Sequence, residues 1–542
     1  MPDDRLKQLI ARSEKLTTMR APWESHWQEL RDLVNTDASD FNRRSAQGAR
    51  KTEYVLDGTA PWALEQLASG LHTFLTSPTD RWFNLCVEGY DYSHDYAALQ
   101  WLEDVSDLIY QQYSKSESNS NNSLHEVYQD LGSFGTAIEY QEFDRKLKTI
   151  VFRPYPLADC RILENAQGMV DTIYRDVEMT TRQIRQYFPK LNNEKIERAK
   201  NEDKCWIVTH AVFPRTDRDA SKLTAINKAF ASVYFCKEAD GIFGEGGYDE
   251  FPYCVPRWTK RAGEVYGRSP GMTCLPDIKM VNAMERVQLR AVQKIVDPPL
   301  LTPSDGFMFP IETKPSSLIY YEDNGTPPNQ RLMPLETRGR VEVGEDKMQQ
   351  KRDFIMRCFY ADWITRMHKK ERQTATEIMD DRNEMLQMMS PILGRLQTEL
   401  LGRRLRRTFN LLAANSMIPL APSSLGDKKL SIEYISPAAK AQIAVKGMKI
   451  LSFTQEITPL AQVMPEILDI LDPDQMAQEL AIYADVSRRV LRSPDEVAKI
   501  RATRQQAQAA TTAAQTAQPM GAAMKDIATA KEKGLDISQF VQ

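Results

Sequence analysis

"DPPLLTPSDGFMFPIETKPSSLIYYEDNGTPPNQRLMPLETRGRVEV", residues 297–343, holds Pro298, Pro299, Pro303, Pro310, Pro315, Pro327, Pro328 and Pro334, a density at which no long helix survives. Its neighbours on both sides read as helix. Before it, Val281, Met284, Val287, Ala291 and Ile295 form one apolar stripe at helical spacing that stops at "DPP". After it, "EDKMQQKRDFIMRCFYADWITRM" resumes the period with Met348, Ile355, Phe359, Trp363 and Met367. The order is therefore helix, compact insert, helix, and two such helices most simply run antiparallel, carrying the insert away from the main body. The apolar runs "FMFP" and "LIYY" favour a small β module over an elongated surface loop.

Working outward, the N-terminal part opens with helical spacing at Trp23, Trp27, Leu30 and Val34, and again at Leu64, Leu67, Leu71 and Phe74 after Pro61. From about 137 to 260 the pattern turns to short β-rich runs, "TIVFRP", "MVDTIYRDVEM", "CWIVTHAVF" and "ASVYFCKE". The class predicted is α+β, mainly helical. Beyond the helix pair a long helical pattern places Leu386, Leu393, Leu396, Leu400, Leu405, Phe409 and Leu412 inward, with a kink expected at Pro391. Shorter helical pieces follow to about 503. The last forty residues are rich in Ala, Gln and Thr, and read either as disorder or as a helix held by neighbouring copies.

At 542 residues the chain is too long for one core. Its 70 Lys+Arg against 74 Asp+Glu give a formal charge of -4, which supplies no bulk attraction to nucleic acid or an anionic membrane. Any nucleic-acid contact must be local. The seven cysteines are scattered and odd in number, so neither a disulfide framework nor a close zinc pair is suggested, and a reducing compartment fits. The charged start "MPDDRLKQLI" and the lack of any apolar run of about 18 residues predict an intracellular soluble protein.

Chemistry-bearing motifs are few. No phosphate-cradling G-x-x-x-x-G-K-[ST] and no H-E-x-x-H occur, and the six histidines are dispersed. Gly267-Arg268-Ser269-Pro270-Gly271 matches G-x-S-x-G in form, but the residue after the nucleophile must lend a backbone N–H to an oxyanion hole and Pro270 has none. A turn before a helix explains it better. Asp380, Asp381 and Glu384 read as a solvated helix face rather than metal ligands. No enzyme, metal or cofactor is expected. One charge cluster stands out against the acidic background: "RMHKKERQTATEI", residues 366–378, packs Arg366, His368, Lys369, Lys370 and Arg372 into seven positions at the inner end of the returning helix. Taken alone it reads as a solvated turn between two helices.

"SPTDRWFNL" (77–85), "LGSFGTA" (131–137), "VPRWTKRAGEVYGRSPGM" (255–272) and "RQTATEI" (372–378), in that order and in a chain of this length, resemble the head-to-tail connector, or portal, proteins of short-tailed bacteriophages. The likeness covers about residues 5 to 500. It implies a wing over 1–274, a first stem helix over 275–296, a clip over 297–343 and a second stem helix over 344–367. A tunnel loop over 366–374, a wing support helix over 375–430, a helical crown over 431–502 and an Ala/Gln-rich tail over 503–542 complete the expected subunit. It further implies a virion component, assembled in the host cytoplasm, that forms a ring of self-contacts, usually a dodecamer, at one capsid vertex.

Such a ring conducts double-stranded DNA without sequence specificity. Its partners would be a packaging motor (terminase), tail adaptor proteins, and capsid and scaffolding proteins, with no membrane. Arg366, His368, Lys369, Lys370 and Arg372 would then be the tunnel loop that touches DNA. The same helix pair also suits a non-channel helical adaptor or scaffold, which is the competing reading.

Overall fold

The structure, a computed structural model, describes residues 2–43, 46, 48–88, 95–219, 221–222, 224–296, 300–301, 333–334, 341–362, 388–426, 430–435, 449–457, 472–483, 492 and 496–509. Its contacts divide the chain into two units, Met1–Phe83 with Asp107–Ile418 and Tyr434–Ala438, and Asn84–Ser106 with Pro419–Glu433 and Ala439–Gln542. The second unit thus takes up Asn84–Ser106, a stretch the sequence pattern groups with the residues around it.

In the first unit, helices α1 (Pro2–Leu33) and α2 (Thr59–Leu75) precede two antiparallel sheets. The chain then passes through β1 (Phe83–Val87) and α3 (Tyr96–Ser114), which lie largely in the second unit, before α4 (Ser120–Phe134), β2 (Glu139–Asp144), β3 (Thr149–Pro154), β4 (Cys160–Glu164) and β5 (Val170–Thr180) of the first. Then come α5 (Thr181–Tyr187), α6 (Glu194–Glu197), β6 (Cys205–Pro214), β7 (Phe230–Cys236), β8 (Gly241–Tyr248) and β9 (Tyr253–Cys254). Four of these strands coincide with the β-rich runs of the sequence. β4 to β8 pair in chain order as a five-stranded meander, and β3-β2-β9 form a smaller sheet.

The two-residue period of a strand decides what covers each face of the meander. Ala231, Val233 and Phe235 of β7 point to one side, where Leu6, Leu9 and Leu16 of α1 cover them together with Tyr174 and Ala211. Cys236 and Tyr234 point to the other, joining Trp206, Val208, Phe243 and the helix residues Ile184 and Ile196. On that same face His210 shares a hydrogen bond with Ser232 (2.9 Å) and one with Tyr253 (3.2 Å), and stacks on Tyr234 at 4.1 Å. Burial pushes its pKa down to about 3, so it is a neutral core residue.

Helix α7 spans Pro270–Val296, starting five residues before the boundary drawn from sequence, and α8 spans Val341–Cys358. They lie antiparallel: Cys274 meets Cys358 at one end, Arg352 bonds Glu285 (3.1 Å) further along, and a short ladder pairs Leu300 with Pro334 and Leu301 with Met333. Those ladder strands are β10 (Leu300–Leu301) and β11 (Met333–Pro334). The pair is clamped to α2 through Asp57, which accepts from Arg352 at 2.7 Å, while Asn282 accepts from the backbone of Leu56 and Asp57. Burial opposes the Asp57 charge, but hydrogen bonds from Thr59 and Arg352 outweigh it and hold the carboxyl below its usual range.

Two expectations change here. The second helix does not run unbroken to 367: it stops at Cys358, Phe359 turns into the core, and Tyr360 adopts a left-handed backbone (φ 57°). Nor does the stripe of α7 face a core along its length. Val281 is buried, but Val287 is 65% and Ile295 52% exposed.

Residues 388–396 are helical, and the helical register then shifts at a π-turn over Gln397–Leu401 before α9 (Gly402–Ala414). The irregularity in this helix thus lies after Pro391. In the second unit, Trp101 donates to the carbonyl of Pro419 (2.9 Å), β1 pairs with β12 (Leu430–Tyr434), and Arg501 forms a two-pronged ion pair with Asp474 near α10 (Pro473–Tyr483) at 2.5 Å.

Candidate functional site

Arg366, His368, Lys369, Lys370 and Arg372 lie outside the described residues, as do Asp380, Asp381 and Glu384. What the structure describes is the ground on either side: the end of α8 and the helix from 388 into α9. Both meet the segment 255–272. Trp258 packs against Tyr360 with ring centroids 6.5 Å apart, and Arg257 binds Glu399.

Arg257 is the centre of this hub. Its guanidinium is fully buried and gives Nε and one terminal nitrogen to the two oxygens of Glu399 (3.1 and 2.7 Å), while its own backbone N–H bonds the same carboxylate at 3.0 Å. The remaining donors reach Glu164 (2.8 Å), the Gly168 carbonyl (2.7 Å) and the Val265 carbonyl (3.2 Å). Lys260 joins Glu164 at 2.6 Å and Arg395 joins Glu399 at 3.2 Å. Burial disfavours the Arg257 charge, yet the bonds to Glu399 and Glu164 more than offset this and raise its pKa. Glu164 responds in the opposite sense: desolvation pushes it up, but Lys260 and Arg257 hold it down. One five-donor fork thereby joins strand β4, the 255–272 segment and the π-turn.

Helix α9 inserts three more arginines. Arg404 is fully buried, donating to Glu139 (3.0 Å) and to the Ser120 hydroxyl (2.6 Å), with its guanidinium 4.0 Å over the Phe152 ring. Ser123 completes the cluster with a 2.6 Å bond to Glu139. Arg407 bonds the Gln141 carbonyl at 3.1 Å, and Arg403 the Val170 carbonyl at 3.0 Å. Burial lowers the pKa of both Arg403 and Arg407.

The two sequence stretches 131–137 and 255–272 meet backbone to backbone. Gly135 ends α4 in a left-handed conformation (φ 76°), Gly267 donates its N–H to the Thr136 hydroxyl at 2.8 Å, and a Cβ on Gly267 would sit 2.1 Å from the Gly135 carbonyl. Only glycine permits that approach. Ser269, next in line, donates to the Ser133 carbonyl (2.6 Å) and accepts from the Met272 N–H (2.9 Å). It is therefore the N-cap of α7 with Pro270 at the first helical position, which accounts for the serine and the proline of the "GRSPG" match. Buried and doubly bonded, its hydroxyl has no histidine partner among the described residues. Exchange of Ser269 for Ala should cost about 1–2 kcal/mol in a denaturant melt, and the unaltered protein should take no label at Ser269 from a serine-directed phosphonate.

Sequence reasoning missed the buried arginines. The available signal was the row Leu396, Leu400, Arg404, Thr408 and Leu412, spaced every four residues and buried throughout. Among the described residues no group of His, Cys, Asp and Glu is arranged to hold a metal ion, and no helix is long and apolar enough to cross a membrane.

The family described as "Bacteriophage head to tail connecting protein" matches residues 6–491. The chain is 30% identical over 561 residues to the "Probable portal protein" of Bordetella phage BPP-1, covering 98% of this chain and 97% of that one. It is 31% identical over 528 residues to the "Portal protein" of Salmonella phage epsilon15, covering 94% and 93%. With a match spanning the meander, the helix pair and the arginine hub, the chain belongs to the bacteriophage head-to-tail connecting proteins.

Proposed function

We propose that the chain is a portal protein whose copies close into a ring, of the twelve-subunit kind, at one vertex of a phage capsid. The observation that carries this is the near full-length match to two proteins named as portals. The ring is a conduit through which double-stranded DNA enters and leaves, and a platform for the packaging motor and the tail, with residues 297–343 as the docking module. Its role is structural, without catalysis, and its place is the virion, after assembly in the host cytoplasm.

The charge supports a conduit. Tight phosphate binding would hold DNA by counterion release and oppose its sliding, so a channel wall should be neutral or acidic with few basic contacts. At -4 per chain, twelve copies carry about -48. Against that field Lys369, Lys370 and Arg372, with Arg366 and His368 beside them, form a narrow basic ring that meets phosphates and reads no bases.

Closure of a ring needs heterologous contacts, and the exposed stripe of α7 supports one. Past the buried Cys274, Ile278 and Val281, the outer part of the helix leaves Val287 and Ile295 more than half exposed. A neighbouring copy covers it in this reading. Exchange of Val287 for Asp is expected to leave the subunit's thermal midpoint within about 2 °C, since a surface site carries little stability, while sedimentation velocity shows the ring replaced by free subunits. An unaltered ring mass for that variant would show that the stripe faces solvent. The non-channel adaptor predicts no closed ring at all.

A further inference from the structure

The base of the helix pair holds two thiols that neither the hub nor the conduit uses. Cys274 lies in the first turns of α7 and Cys358 is the last residue of α8, and the antiparallel register, fixed by Lys351 on Asp277 (2.7 Å) and Arg352 on Glu285 (3.1 Å), brings the two thiols together. Cys274 is buried and also donates to the Gly271 carbonyl at 3.7 Å, whereas Cys358 is half-buried. Cys358 is therefore the more accessible of the two.

We propose that Cys274 and Cys358 are a redox modification site that closes to a disulfide across the base of the helix pair when a small-molecule disulfide is present. The Cys358 thiolate attacks one sulfur of the reagent, forming a mixed disulfide and expelling one small thiolate. Cys274 then gives up its proton and attacks the Cys358 sulfur, expelling the second. Two protein thiols are oxidised, one small disulfide is reduced to two thiols, and the two protons leave with them. Burial sets the order of attack: Cys358 is only half-buried and Cys274 is buried, and desolvation opposes the Cys274 thiolate.

The bond would tie the last residue of α8 to the start of α7, just before the chain bends at Phe359 and Tyr360. A chain assembled in a reducing cytoplasm would thus carry open thiols, and the staple would form once oxidant is met. Closing so long a loop restricts the unfolded chain and raises stability.

The test uses the full-length protein incubated with oxidised glutathione at fixed pH, alkylated and digested without reductant. Mass spectrometry should find the Cys274 and Cys358 peptides joined, with exposed Cys205 carrying glutathione as the internal reagent control. The thermal midpoint should rise by roughly 5 °C, fall back on reduction, and not move in Cys358→Ser. The proposal is overturned if Cys205 is modified while Cys274 and Cys358 stay free, if Cys358 stops at the mixed disulfide, or if Cys358 instead joins its own counterpart in another copy.

Discussion

Exchange of Arg404 for methionine should destabilise the first unit by about 3–5 kcal/mol, because it leaves the Glu139 carboxylate buried without its cation. The fall in thermal midpoint is expected to be on the order of 10 °C. Both partners are fully shielded from solvent, so water cannot replace the lost bonds to Glu139 and Ser120. Lysine should not rescue the site: a single ammonium cannot serve Glu139 and Ser120 as a planar fork does while lying flat over Phe152. Adding Glu139→Gln to the methionine variant removes the stranded charge and should restore part of the loss. A melt of Arg404→Met within 1 °C of the unaltered protein would show that the cluster carries no net stability.

Conversion of Lys369, Lys370 and Arg372 together to Glu should do the opposite: leave folding and ring formation nearly unchanged and abolish retention of DNA in filled heads. Surface charges ordinarily carry little stability. In the proposed ring their reversal would replace a basic collar by an acidic one, and phosphate contacts would be lost in every copy at once. His368, the one member of the cluster that is neither Lys nor Arg, should matter least when exchanged alone. Normal packaging and retention of a full genome by the triple variant would reduce the cluster to a solvated turn, and failure of the ring to form would make it an assembly contact.

The strands were legible because their periodicity is local: "CWIVTHAVF" and "ASVYFCKE" alternate as β6 and β7 do, and their two faces meet different helices. The helix pair was legible for a similar reason, since proline density marks where helix ends. The break at Phe359 and Tyr360 was not, because neither Gly nor Pro announces it and the apolar period runs straight through. Along α7 the period marked an apolar stripe but not its burial: such a stripe reads the same in sequence where it is buried, at Val281, and where it is exposed, at Val287 and Ile295. Arg257, Arg404 and Arg407 were not read as core residues because an arginine is ordinarily read as surface, even though Arg404 stands in a buried every-fourth row. Only the folded chain shows Glu399, Glu139 and the strand carbonyls that satisfy them. Of the candidate DNA-contacting residues, Arg366, His368, Lys369, Lys370 and Arg372, the charge pattern was plain in sequence, and their placement lies outside the described residues.

Electron microscopy of the purified protein decides between a closed ring with a passage for DNA and an adaptor without one. Averaged end-on views should show rings with an open centre, wide enough for a duplex and of uniform subunit number. Single particles of one chain, or closed assemblies with a filled centre, would rule out the conduit and favour the adaptor.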